Sequence, residues 1–143
     1  MMLEDTRANY EPHARSNYFS VKNLEAFTAF CARWGLELIQ EREQADPATP
    51  RVGFLCDSEQ GIPTTLYDED TDTDVEVDFI AELSQQLADG AVAVVMEVGN
   101  EKLRYLNGYA ITVNAAGAEV SINLDEIYDR AKVLGAHITT CTY

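Results

Sequence analysis

Residues 91–114 read AVAVVMEVGNEKLRYLNGYAITVN, and this stretch decides the fold. Its first part, Ala91 to Val98, is apolar on both faces until Glu97, which is typical of a central strand. We expect Gly99-Asn100 to turn the chain back into a long strand over 102–113, because Gly and Asn favour tight hairpin turns. Two strands joined by so short a turn predict an antiparallel sheet.

Helical and strand patterns on either side of this stretch complete the predicted fold. Asn23 can cap a helix over 24–34, where apolar residues recur every three or four positions and Gly35 suits a left-handed end. A capping box, T-x-x-E, predicts a helix over 73–88. The other predicted elements are strands over 16–21, 36–42, 51–57, 64–67, 119–122 and 137–143, and a helix over 124–134 capped by Asn123. The order β-α-β-β-(β)-α-β-β-β-α-β predicts an α+β fold, a mostly antiparallel sheet with three helices packed on it.

The length of 143 residues is that of one domain. We expect a flexible arm over 1–14 and a single α+β domain over 15–143, because no linker or repeat divides the sequence. No apolar run approaches the ~20 residues needed to cross a bilayer. Three cysteines, Cys31, Cys56 and Cys141, form no CxxC pair. These features predict a cytoplasmic protein with reduced thiols.

The net charge of −15 is concentrated in one block of the sequence. Residues 52–101 contain 13 acidic side chains and no Lys or Arg. Such a field repels nucleic acid and anionic membranes and attracts basic protein surfaces. We therefore expect a basic protein surface as the partner, and no direct contact with nucleic acid or membrane.

The densest part of this block is LYDEDTDTDVEVD, residues 66–78, with a carboxylate at every second position from Asp68 to Asp78. In an extended segment these six side chains fall on one face about 6.6 Å apart. That spacing is comparable to the step between phosphates of a nucleic-acid strand, which predicts a mimic. If a helix begins near Asp74, only Asp68 to Asp72 stay in line, and the run is a solvated acidic loop. The predicted partner-binding surface comprises Asp57, Glu59, Asp68, Glu69, Asp70, Asp72, Asp74, Glu76 and Asp78.

Motifs for metal binding and catalysis are absent from the sequence. Counted from Asp68 or Asp70, the acidic run lacks the glycine and the bidentate acid of an EF-hand loop, which leaves at most loose cation binding. His13 and His137 each lack a nearby second ligand, so we expect no metal site and no cofactor. No nucleophile motif or phosphate loop occurs, and we expect a protein that is not an enzyme. The enzymatic alternative is a dispersed site of Glu97, Arg104, Tyr105 and His137.

A second candidate surface lies around the predicted turn at residues 99–100. Lys102 and Arg104 share one face of the following strand, and Glu97 stands near them across the turn. This pattern predicts either an aromatic-basic face, which binds a partner as an adaptor or forms a homodimer, or a ladder in which Lys102 or Arg104 satisfies Glu97. The residues of this alternative partner-binding face are Glu97, Glu101, Lys102, Arg104 and Tyr105. A third polar group, on the first strand, comprises Arg15, Asn17 and Tyr18.

Two stretches carry a resemblance: RSNYFSVKNLEAFTAFCARWGLELI at 15–39 and VAVVMEVGNEKLRYLNGYAITVN at 92–114. They resemble a family of small acidic proteins that bacterial mobile elements encode. The resemblance implies a setting in which such proteins inhibit host restriction or CRISPR complexes, some of them as nucleic-acid mimics, and it assigns no catalytic residue. We therefore expect a non-enzymatic inhibitor of the anti-CRISPR or anti-restriction type. The alternative is an accessory adaptor of a mobile element.

Overall fold

The computed structural model describes residues 10–42, 50–57 and 60–141, apart from the side chain of Tyr105. Within these ranges the chain forms a seven-stranded sheet, a separate two-stranded hairpin and three α-helices, which confirms the predicted α+β class. The strands are β1 Glu11–Ser16, β2 Phe19–Ser20, β3 Glu37–Gln40, β4 Arg51–Leu55, β5 Thr65–Asp68, β6 Thr73–Glu76, β7 Val92–Glu101, β8 Tyr105–Asn114 and β9 Glu119–Asn123. The helices are α1 Leu24–Trp34, α2 Phe79–Gln86 and α3 Glu126–Arg130, and a 3-10 turn, Ala131–Val133, follows α3.

The large sheet has the strand order β2-β4-β1-β7-β8-β9, with β3 paired to β4. Its strand pairs are antiparallel. β1 and β2 form one interrupted strand: β1 pairs mainly with β7, and β2 pairs with β4. The interrupted strand therefore lies between two halves of the sheet and joins them. One half contains β3 and β4, and the other contains β7, β8 and β9.

Side-chain hydrogen bonds hold the sheet together at the interruption. The Asn17 side chain accepts from the Val94 N–H at 2.8 Å and donates to the Val92 carbonyl at 3.2 Å. The buried Ser16 hydroxyl accepts from the Phe54 N–H at 2.9 Å. These bonds replace the backbone ladder where it is broken, as buried backbone groups require. Asn17, predicted as part of a polar surface group, therefore contributes to the sheet.

Helices α1 and α2 cover one face of the large sheet. The predicted helix over 24–34 is confirmed: the Asn23 side chain accepts from the Ala26 N–H at 2.9 Å, and Gly35 closes α1 with φ of +70°. Aromatic rings dominate the packing, and the Phe54 ring on β4 lies edge-on to that of Phe79 on α2 at 5.8 Å. The buried apolar core comprises Phe19, Phe27, Phe30, Cys31, Trp34, Val52, Phe54, Phe79, Leu83, Leu87, Ala93, Val95, Ile111 and Val113.

The helix predicted over 73–88 is wrong in its first part. Thr73–Glu76 is strand β6, paired with β5, and α2 begins only at Phe79. The cap of α2 is Asp78, whose carboxylate accepts from the Ala81 N–H at 3.0 Å. Alternating β-branched residues over 73–77 favour a strand, and pairing with β5 outweighs an isolated capping box.

The turn between β7 and β8 lies further along the chain than predicted. Residues 102–104 form the loop, with φ of +48° and +61° at the first two, and Gly99-Asn100 continue β7. A side chain at Gly99 would overlap the ring of Tyr10. Gly99 therefore allows a close approach of two elements and does not form a turn.

Both ends of the described chain differ from the prediction. Residues 11–14 were predicted to lie in a flexible arm, but they belong to β1, between β4 and β7; residues 1–9 lie outside the described residues. No strand forms over 137–141 of the segment predicted as a strand. Asn123 ends β9 instead of capping a helix, and its N–H donates to the Glu126 carboxylate at 2.9 Å. In the described ranges, no helix combines the length and apolar character that crossing a bilayer requires.

Candidate partner-binding site

β5 and β6 form a hairpin that is separate from the large sheet. The chain reverses over 69–72, where the Asp68 carboxylate accepts from the Asp70 N–H at 2.9 Å and Asp72 has φ of +54°. The Tyr67 hydroxyl donates to the Asp72 carboxylate across the turn. We call residues 65–78 the acidic hairpin.

The alternating carboxylates of the acidic hairpin do not form a single row. Asp68 lies at the end of β5, Asp70 lies in the turn, and Asp74 and Glu76 lie on β6. Cross-strand partners point to the same side, so Asp74 shares a side with Tyr67. The two predicted geometries, an extended row and a helix from Asp74, are therefore both wrong. Reversal of the chain gathers the charges on two strands about 4.8 Å apart.

The negative charge of the acidic hairpin is not neutralised within the described residues. The ion pairs found there are Arg33–Glu82, Arg51–Glu41, Arg104–Glu101 and Lys132–Asp129, and none includes a carboxylate of the hairpin. The hairpin carboxylates are exposed, apart from a half-buried Asp68. The hydrogen bond to Asp72 and, to a smaller extent, desolvation and the charge of Asp74 raise the pKa of Tyr67. The hairpin thus presents a concentrated negative charge to solvent.

The remaining predicted acidic residues lie next to β4, at the start of α2 or outside the described residues. Asp57 follows β4, and its backbone carbonyl accepts from the Gly61 N–H at 3.0 Å. Asp78 caps α2. Glu59 lies outside the described residues. The described acids of the predicted surface therefore follow the chain from the end of β4 through the hairpin to the start of α2.

A cleft of about 720 Å³ opens at the base of the acidic hairpin. Glu97 and Tyr109, cross-strand partners on β7 and β8, line it together with Phe79 from α2. Glu76 and Asp78 contribute two further carboxylates. A cleft with apolar and acidic lining can accept a Lys or Arg side chain, which has an apolar stem and a cationic head. Its other lining residues are Gln60, Ile62, Pro63, Thr64, Val77, Ile80 and Ile111.

Glu97 is held by neutral donors and not by the cations predicted for it. The Tyr10 hydroxyl donates to its Oε2 at 3.0 Å, and the Ile62 N–H donates to its Oε1 at 2.8 Å. Asn107 Nδ2 in turn donates to the Tyr10 hydroxyl at 2.9 Å. These residues come from three separate parts of the sequence, around residue 10, around residue 62 and in the β7–β8 hairpin, and no local signal connects the three. Sequence reasoning missed this network and the cleft for that reason.

The aromatic-basic face predicted around residues 99–100 is not formed as such. Lys102 and Arg104 lie in the β7–β8 loop, whereas Glu97 points into the cleft. Arg104 pairs with Glu101 at 3.4 Å. Tyr105 is the cross-strand partner of Glu101. The displaced turn is the reason, because it removes both cations from the strand on which they were predicted to share a face.

The other residues considered for chemistry lie apart. Arg15 lies over the ring of Tyr18 at 5.7 Å. His13 is exposed on β1, and His137 is exposed in the C-terminal segment, so His137 does not join Glu97 in the cleft. In the ranges that the structure describes, no group of three or more His, Cys, Asp or Glu has an arrangement that could hold a metal ion.

Comparison with protein-family models gives no match. Comparisons with curated proteins and with solved structures give no match either. The resemblance to small acidic proteins of mobile elements therefore stays a prediction, and the functional argument rests on the geometry and charge of the acidic hairpin and its cleft.

Proposed function

We propose that this chain is a non-enzymatic inhibitor of a host nucleic-acid-handling defence complex, and that its acidic hairpin occupies a basic, nucleic-acid-binding surface of that complex. One observation carries the proposal: the exposed carboxylates of the hairpin have no Lys or Arg partner among the described residues. A partner's cations can therefore bind them without first displacing an internal ion pair.

The arrangement of the hairpin suits a surface that binds phosphates. Its carboxylates lie on two strands and a tight turn, so they form a compact array that a Lys/Arg-lined channel can contact from several directions. Long-range attraction by a region without cations accelerates the encounter with such a channel. Affinity that comes from charge should fall steeply with salt, as it does for nucleic acid itself.

The base of the hairpin also packs against the core, which limits the conformational freedom that the hairpin loses on binding. Leu66 packs against the core, and the Val77 N–H donates to the Thr64 carbonyl at 3.0 Å at the base. The cleft beside this base accepts one Lys or Arg side chain of the partner. Binding thus combines the distributed charge of the hairpin tip with one anchored side chain.

The test compares two variants of equal net charge. One neutralises Asp68, Glu69, Asp70, Asp72 and Asp74 as Asn or Gln. The matched control makes the same change at five exposed acids elsewhere: Glu25, Glu37, Asp89, Glu119 and Asp125. Both are assayed for binding to purified CRISPR and restriction complexes and for inhibition of DNA cleavage, with competing DNA and at two salt concentrations.

We expect the hairpin variant to lose inhibition and the control to retain it, with wild-type binding displaced by DNA and by salt. The proposal is contradicted if both variants inhibit DNA cleavage as well as the wild type does. Equal loss in both variants also contradicts it, because only total charge would then matter. The adaptor function is indicated instead if Arg104→Glu abolishes binding of a partner and the hairpin variant leaves that binding unchanged.

A further inference from the structure

Among the described residues, the face of β1, β7, β8 and β9 opposite the helices, which we call the outer face, presents exposed apolar side chains. Ala93 and Val95 on β7 point into the core, so alternate residues such as Met96 point outward. The register places Met96, Ala110 and Ile122 in one row across three strands. The exposed apolar residues of the outer face are Val92, Met96, Val98, Leu106, Val120 and Ile122, each between 48% and 67% accessible.

The size of this surface fits a protein interface. These six side chains expose roughly 600 Å² together, at the upper end of the largest patch found on typical monomers. A stable interface buries roughly 800 Å² on each partner, of which a little more than half is apolar. The outer face therefore supplies the apolar area that one side of a standard interface needs.

Charge on the outer face is low, although the whole chain carries −15. Among the outward positions of its four strands, the only acidic residue is Glu11, at the margin, and His13 and Arg15 lie beside it on β1. The acidic hairpin, in contrast, meets the sheet on the core side, where Glu97 and Tyr109 line the cleft. Two copies that meet through their outer faces would keep their acidic hairpins apart.

The C-terminal segment, residues 124–138, begins next to the outer face and carries further exposed apolar side chains. No residue of α3 is buried, and Val133 and Leu134 are 88% and 89% accessible. The segment leaves β9 at the outer face, where Leu124 lies against Gly108 so closely that a side chain at Gly108 would overlap it. Exposed apolar side chains on both the outer face and this segment suit an isologous contact, in which each copy covers the same surfaces of the other.

We infer that the outer face and the C-terminal segment bind a second copy of this chain in a two-fold dimer. The dimer is independent of the proposed inhibitor function, because it uses the side of the sheet opposite the cleft. It presents two acidic hairpins on its outer sides, and a partner with two basic sites would gain affinity from this bivalency.

The experiment measures the mass of the full-length chain by sedimentation equilibrium over a range of concentrations up to ~200 µM, where a dimer of micromolar affinity is fully formed. We expect a monomer–dimer equilibrium that higher salt strengthens, because salt screens the repulsion between two acidic copies. Met96→Lys should weaken the dimer at least tenfold. The matched control is Leu103→Lys, which changes a still more exposed apolar residue (72% accessible, against 58% for Met96) in the β7–β8 loop, outside the strands of the outer face.

Circular dichroism and thermal melting establish that each variant folds, and Ile122→Lys replaces Met96→Lys if the latter does not. A chain that is monomeric at every concentration overturns the inference, because no second copy then binds the outer face. A dimer that survives both Met96→Lys and Ile122→Lys overturns it as well, because the contact then lies elsewhere. Loss of the dimer in the Leu103→Lys control has the same consequence.

Discussion

The acidic hairpin and the outer face differ in every property that governs binding. The hairpin presents exposed carboxylates without a cationic partner among the described residues, whereas the outer face presents apolar side chains with a single acid at its margin. The base of the hairpin lies on the core side of β7 and β8, and the outer face is the other side of the same strands. Charge and apolar area are thus segregated by the two-residue period of the strands.

This segregation has a physical consequence for a chain of such high net charge. Self-association would be opposed if the hairpin carboxylates of two copies came together, because like charges repel over the Debye length of about 8 Å at physiological salt. A partner with a basic surface would in turn gain nothing from the outer face. Each surface can therefore act without weakening the other, and their responses to salt should have opposite signs.

The largest expected effect is this difference in the response to salt. Raising the salt concentration from about 50 to 200 mM should weaken binding of a Lys/Arg-rich peptide roughly tenfold, if four exposed ion pairs each lose about 0.3 kcal/mol to screening. The same change should strengthen the dimer. Salt screens the electrostatic repulsion between the two acidic copies, whereas it does not screen the apolar contacts that hold them together. Fluorescence anisotropy with the labelled peptide and sedimentation equilibrium measure both in one buffer series.

Met96→Lys and the five-residue hairpin variant sharpen that comparison. Met96→Lys should weaken the dimer and leave peptide binding within about twofold, as expected for sites without shared contacts. The hairpin variant should weaken peptide binding without weakening the dimer, because it lowers the repulsion between the two copies. These predictions are contradicted if either variant changes the affinities for the peptide and for the second copy by similar factors. They are also contradicted if salt strengthens both interactions or weakens both.

An effect of intermediate size, on the free energy of unfolding, is expected at the interruption between β1 and β2. This part of the sheet supports both the acidic hairpin and the outer face but lies in neither surface. Ser16→Ala removes the acceptor of the buried Phe54 N–H, and we expect the free energy of unfolding to fall by about 2 kcal/mol. Urea unfolding measures this loss. Peptide binding and dimer affinity of the folded protein should not change.

Ser20→Ala on β2 is the control for this prediction, because the Ser20 hydroxyl makes no hydrogen bond within the described residues and its loss should cost little. Equal losses for Ser16→Ala and Ser20→Ala would show that the Ser16 hydrogen bond contributes nothing specific to the joined sheet.

The parts of the fold that were predicted correctly depend on local signals. α1 has its apolar period, its cap at Asn23 and its stop at Gly35 within a dozen residues, and all three agree with the structure. The errors come from local signals that distant contacts override. Thr73–Glu76 has the spacing of a capping box but pairs with β5, and Gly99 has the composition of a turn but packs against Tyr10.

The candidate site shows the same division. The acidic block was visible in the sequence, because charge depends on composition alone. Its shape was not visible, because the pairing of Leu66 with Val75 decides whether the carboxylates form a row or a hairpin. The cleft was missed entirely, because Tyr10, Ile62 and Glu97 meet only once the sheet has formed.

The smallest expected effect concerns Glu97, which lines the cleft beside the acidic hairpin. Burial and, to a smaller extent, the charge of Glu97 raise the pKa of the Cys56 thiol to about 12, and burial alone raises that of Cys31 to about 11. Because both folded-state pKa values exceed the ordinary value of 9.0, the associated stability is present below pH 9 and is lost as the pH rises toward 12. Glu97→Gln removes the smaller cause and should speed alkylation of Cys56 at pH 9 a few-fold, because more thiolate is present. Peptide mass spectrometry measures both thiols, and Cys31 serves as the internal control. Acceleration of both thiols by the same factor would mean that the variant loosens the whole fold and that the carboxylate of Glu97 has no electrostatic effect on Cys56.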